Sequence, residues 1–168
     1  KITAAWEAFL DPGVTRPRLI SAALFITAFE MLKDSIVSRL QEFFTFGFDE
    51  HGDKVSPKYA EVLRRNRSPL YASLDWLKEM QAVDDADLVL FEEAKKCRNH
   101  LAHRLAEVVG TEGLPDEFER LFGSMLALFG KIERWWVANV EIPTDPEFDG
   151  QEVDPASITP GRILMFQV

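Results

Sequence analysis

The residues Phe25, Phe29, Leu32, Ile36, Leu40 and Phe43 recur in steps of three and four, so they share one face of an α-helix. Nearly every other segment carries the same period of about 3.6 residues, and no run alternates convincingly at period two. This pattern leaves an all-α architecture as the expectation: a compact antiparallel helical bundle of about five to six helices with an irregular acidic C-terminal tail. The 168 residues, 46% hydrophobic with 13 Phe and 4 Trp, are enough for one domain-sized core and exclude disorder for most of the chain. A single cysteine, Cys97, excludes a disulfide scaffold and a four-thiolate zinc site.

Turn and capping residues divide the chain. A short helix is expected over Ile2–Leu10, stopped by Asp11-Pro12-Gly13. Thr15 and Pro17 then open a long helix to Phe44, and the polar stretch Gly47–Ser56 reads as a loop. Ser56-Pro57 and Ser68-Pro69 each pair an N-cap residue with a first-turn proline, which predicts helices over 57–65 and 69–81. Asp84 or Asp85 caps a helix to Val109 with Gly110 as its stop, and Pro115-Asp116-Glu117 opens a last helix to Val140. Residues 1–140 thus form the expected helical domain, and 141–168 a separate tail. Four of the nine prolines lie between Pro143 and Pro160, so the tail is expected to be extended and to wrap the body through Ile163, Leu164, Met165 and Phe166.

The apolar stretch Leu19–Leu32 has fourteen residues, including Ser21, Thr27 and Glu30. A spanning helix needs roughly twenty, so this reads as a buried helix. It also begins too far from the first residue to resemble a signal peptide. The expectation is a soluble cytoplasmic protein with no membrane partner.

A net charge of −9 speaks at first against binding nucleic acid. Six acids and no base lie between Glu141 and Asp154, however, which leaves residues 1–140 at only −4. Two segments are locally basic. Lys58, Arg64, Arg65 and Arg67 face Glu61 alone, and Lys95, Lys96, Arg98 and Arg104 accompany His100 and His103 with no acid among them. Solvated helix faces are the plain reading of such runs.

The second basic segment carries more. On a helical wheel Leu90, Ala94, Cys97, Leu101, Leu105 and Val108 fall within about 80° and form the core face. Asn99 and His103 point away from it, while Arg98 and His100 sit on opposite boundaries. Histidine titrates near neutral pH and serves as a general acid or base, and an arginine fork matches phosphate oxygens.

The spelling Arg98-Asn99-x-x-x-His103 resembles the Arg-x4–6-His signature of the HEPN superfamily, in which a polar residue commonly follows the arginine and the motif lies on a long helix of a helical bundle. The resemblance covers residues 15–140 in architecture and this short motif in detail. It implies a metal-independent endoribonuclease of a toxin–antitoxin or defence system, needing no cofactor. By position, His103 would act as acid or base, Arg98 would hold the scissile phosphate, and Asn99 would orient substrate or histidine. Arg98 and His103 are about 140° apart on their helix. A homodimer joined through the motif helix would bring two motifs into one cleft, as the family commonly does. Lys95, Lys96, His100 and Arg104, with Arg64, Arg65 and Arg67, would then rim it for RNA. A cognate antitoxin protein is a further implied partner. The tyrosine that follows two residues after the histidine in one subfamily is Leu105 here, so regulation through it is unsupported.

Cys97, His100 and His103 are too spread along a helix to hold one tetrahedral ion, so no metal is expected. Adjacent Trp135 and Trp136 point about 100° apart, one to core and one to an interface. The acidic tail could mimic RNA phosphate against the basic helix. The competing function is a catalytically inactive helical interaction module, an adaptor or antitoxin-like partner.

Overall fold

Asp11 interrupts the helical backbone between Leu10 and Pro12 and also starts the longest helix. Its Oδ1 accepts from Gly13 N–H at 2.8 Å, and its carbonyl accepts from Val14 and Thr15 N–H, each at 3.0 Å, so the Asp-Pro-Gly expected as a stop is an N-cap as well. The computed structural model describes residue 7 and residues 9–166. The helix expected over Ile2–Leu10 lies mostly outside these, with only residues 7, 9 and 10 described, all helical.

Of the described residues, 74% are helical. Five main helices are α1 (Pro12–Phe43), α2 (Pro57–Leu63), α3 (Pro69–Glu79), α4 (Asp85–His103) and α5 (Phe118–Trp136). The segment expected as a loop instead forms a small antiparallel hairpin, β1 (Thr45–Asp49) and β2 (Gly52–Val55), with an irregularity between Thr45 and Gly47. Its apolar residues Phe46 and Phe48 are 71% and 84% exposed, so no buried alternation announces it. Ser56 caps α2 by accepting from Lys58 N–H, whereas Ser68 precedes α3 without a side-chain cap. Asp84 and Asp87 cap the start of α4 reciprocally, each accepting the other's N–H at 3.0 and 2.9 Å.

Contacts group the chain into two units. The first holds the described residues up to Glu30 together with Val89–Leu126, and the second holds Met31–Leu88 and Ala127 onward. In the first unit Phe25 packs on Phe118 and Phe122 at 5.4 and 5.6 Å, and Phe29 on Phe91 at 5.4 Å. Gly110 is buried there beneath Phe9, whose ring would lie 2.4 Å from any added Cβ. It therefore serves close packing, and the left-handed stop falls at Gly113, φ 85°, whose N–H reaches Val108 O at 3.0 Å.

The second unit is built on an aromatic cluster. Trp76 stacks on Trp136 at 6.1 Å, and Phe43 and Phe44 close on Trp76 at 5.7 and 5.9 Å. Trp136 donates its indole N–H to Ser35 O at 2.9 Å, which satisfies the only polar atom of a buried ring. Helical backbone continues past Val140 through a π-turn at Val137–Glu141 and a last turn at Ile142–Thr144. Pro143 fits because it stands at the start of that turn, where its missing N–H is not needed. The tail beyond is not extended but carries short turns at Pro146–Phe148, Pro155–Ser157 and Gly161–Leu164. Asp145 and Asp154 cap the first two. Of the four residues expected to anchor the tail, Ile163 is buried, while Leu164 and Met165 are exposed.

Candidate active site on the Arg98–His103 helix

Helix α4 turns a slightly different face inward from the one periodicity suggests. Phe91, Ala94 and Leu101 are its buried residues, while Leu90 and Cys97 are only half-buried. Phe91 draws the core toward the side of the helix that carries Arg98. A bulky ring outweighs a thiol in deciding which face is buried.

Arg98 sits at the boundary of this face, where the helical wheel puts it. Its side chain is 30% exposed, Nη1 donates to Asn99 Oδ1 at 3.1 Å, and Nη2 donates to Glu30 in an ion pair. Its Nε is buried with no hydrogen-bond partner. A guanidinium has five N–H donors, so one on Nη1 and one on Nη2 remain for an anion. Glu30 is the partner that sequence reasoning missed. The available signal was a lone acid within the apolar run Leu19–Leu32, since a carboxylate on a mostly buried helix needs a cation.

Asn99 spends its oxygen on Arg98, which leaves its amide N–H groups to donate. His103 is the last residue of α4 and is exposed, and its imidazole makes no hydrogen bond among the described residues. The helix then breaks. Arg104 adopts φ −123°, ψ 29°, so the helix expected to reach Val109 ends six residues earlier, and Leu105 starts a new turn. The guanidinium of Arg104 is occupied by Glu112 at 2.5 Å, with Glu107 at 3.9 Å.

The remaining basic candidates divide. Lys96 is exposed on α4, and Lys95 and His100 are half-buried there. Arg64, Arg65 and Arg67 are exposed in the second unit, where Arg65 is ion-paired to Glu79. The structure thus unites Arg98, Asn99 and Glu30 directly and carries His103 and Lys96 on the same helix. Burial pushes the Cys97 thiol up to about 11, so at neutral pH it is neither a nucleophile nor a ready metal ligand. Among the described residues, no three His, Cys, Asp or Glu side chains converge as a metal site. No described helix is long and apolar enough to cross a membrane.

Comparison with protein-family models, with curated proteins and with solved structures finds no match to this chain.

Proposed function

We propose that this chain is a metal-independent endoribonuclease of HEPN type, acting in the cytoplasm as a toxin or defence effector. The observation that carries the reading is the state of Arg98. A half-buried guanidinium, fixed by Asn99 and Glu30, lies on the same helix as an exposed and unengaged His103. Arginine fixed in this way can meet a phosphate without first being ordered, which is how a charged site stabilises a transition state.

In the proposed reaction His103 takes the proton of an RNA 2′-hydroxyl. The 2′-oxygen then bonds to phosphorus as the bond from phosphorus to the 5′-oxygen breaks. The leaving oxygen receives a proton from an imidazolium, and Arg98 balances the added negative charge. The products are a 2′,3′-cyclic phosphate and a 5′-hydroxyl. Two chains joined through α4 would supply one imidazole as base and a second as acid. Lys95, Lys96, His100 and Arg104 would flank the RNA, with Arg64, Arg65 and Arg67 adding to the basic surface. A cognate antitoxin protein would hold such an enzyme in check.

A second reading is a catalytically inactive interaction module, an adaptor or antitoxin-like partner. It is favoured by the exposed apolar residues Leu19, Ile20 and Leu24 on α1, at 46%, 59% and 37% exposure. Cleavage of total RNA and tRNA in EDTA, comparing wild type with His103→Ala and Arg98→Ala, separates the two. Wild-type cutting that both variants lack supports the nuclease, and a folded protein that never cuts supports the module.

A further inference from the structure

The two adjacent tryptophans have different surroundings. Trp136 is buried and donates its N–H to Ser35, whereas Trp135 is half-buried and its N–H has no protein acceptor among the described residues. Trp76 and Trp136 stand nearly perpendicular to Trp135, at 90° and 79°, and fix its ring. Trp135 lines an open pocket of about 440 Å³ in the second unit, together with Arg134, Lys131, Asn139, Gln81 and Pro155.

The polar groups of this pocket are unequally committed. Lys131 is held by both Asp87 and Asp84, two carboxylates against one ammonium, so it offers no free positive charge to a ligand. Arg134 has no carboxylate partner among the described residues, and its guanidinium lies back over Gly130, where an added Cβ would be 3.3 Å from Nη1. Asn139 donates Nδ2 to Trp135 O at 2.9 Å, which leaves Oδ1 as an acceptor. Gln81 closes α3 in a Schellman motif: Ala82 N–H bonds to Leu77 O at 2.9 Å and Gln81 N–H to Lys78 O at 3.0 Å. It does so at φ 60°, a left-handed position that glycine usually fills. A glutamine here accepts backbone strain and places an exposed amide at the pocket.

We infer that this pocket binds a nucleoside monophosphate. Trp135 offers a stacking surface to the base, Arg134 offers one uncompensated positive charge to the phosphate, and the free Oδ1 of Asn139 suits a base with an exocyclic amine. An apolar wall with one arginine that no described carboxylate engages, and a few amides, matches a planar heteroaromatic ring that carries one anionic group. The inference stands apart from the reading of Arg98 and His103, since it uses none of the motif residues.

Calorimetric titration of the full chain with AMP, UMP and inorganic phosphate tests it. AMP should bind more tightly than UMP, and phosphate alone should not bind measurably. Trp135→Ala should weaken AMP binding about tenfold or more, and Arg134→Gln about fivefold, with helical content unchanged. Gln81→Gly is the discriminating variant, because it relieves strain and removes an amide: it should raise Tm yet weaken AMP binding. His103→Ala should bind AMP as wild type does. The inference is overturned if AMP fails to bind at millimolar concentration, if phosphate alone binds as well, or if folded Arg134→Gln and Gln81→Gly bind AMP unchanged.

Discussion

Glu30 on α1 and Arg98 on α4 form an ion pair across 68 positions of sequence, with side chains 40% and 30% exposed. The pair fixes the arginine on which the proposed chemistry depends, and it also sets a negative charge beside the position a phosphate would take. Glu30 therefore opposes anion binding at the group it orders. Glu30→Gln should keep the hydrogen bond but remove the repulsion. RNA binding at low salt should tighten severalfold, while stability falls by about 1 kcal/mol or less, as for a partly exposed pair. Filter binding and thermal melts check both. Unchanged affinity would show that Arg98 does not face the RNA.

Glu133 is the most deeply buried charged residue among the described residues. It is 2% exposed and accepts from Ser35 Oγ at 2.5 Å and Arg39 Nη1 at 3.0 Å, with Arg162 at 3.6 Å. Glu133→Ala removes the buried acceptor these donors share, while Arg39 keeps Glu141 and Arg162 keeps Asp34, and should cost about 1.5–3 kcal/mol in urea unfolding. A loss below about 1 kcal/mol would contradict this account of the core.

Acid should loosen the tail through Asp34. The hydrogen bond from Arg162 at 2.5 Å, joined by one from Ser38, holds this carboxyl below its ordinary value of 3.8. Its contribution is complete above that value and is lost as pH falls through the lowered folded value. The pair is partly exposed, so the effect is small. Below about pH 4, wild type should lose Tm more steeply than Asp34→Asn, and protease should reach residues 141–166 sooner. Parallel curves for the two proteins would remove Asp34 from the explanation.

Cys97 should be slow to alkylate at neutral pH, because burial raises its thiol to about 11. Mass spectrometry after iodoacetamide should show labelling that accelerates only in strong alkali. Cys97→Ser should cut RNA as wild type does. Rapid labelling at neutral pH would mean that the thiol is not sheltered as described.

The periodic part of the fold was legible in sequence. Five residues of the Phe25–Leu40 stripe are buried as the spacing requires, and Pro57 and Pro69, each preceded by a serine, open helices, although only Ser56 caps through its side chain. What escaped was set by tertiary contact. Phe91 rotated the buried face of α4, Phe9 gave Gly110 a packing role, and the hairpin at Thr45–Val55 carries its phenylalanines outward. The Arg98–Asn99 hydrogen bond follows from adjacency on the helix, but the Glu30 ion pair joins distant segments that no local pattern connects. The break at Arg104 was likewise invisible, because Leu105 and Val108 continue the apolar period across it.

In the proposed function Arg98 and His103 cut RNA without metal. Its most direct test is the chemistry of the cut ends formed by wild type in EDTA. The fragments should end in 2′,3′-cyclic phosphate and 5′-hydroxyl, and should be absent with His103→Ala and with Arg98→Ala. Ends bearing 5′-phosphate, cleavage that chelation abolishes, or cutting that survives both substitutions would contradict it.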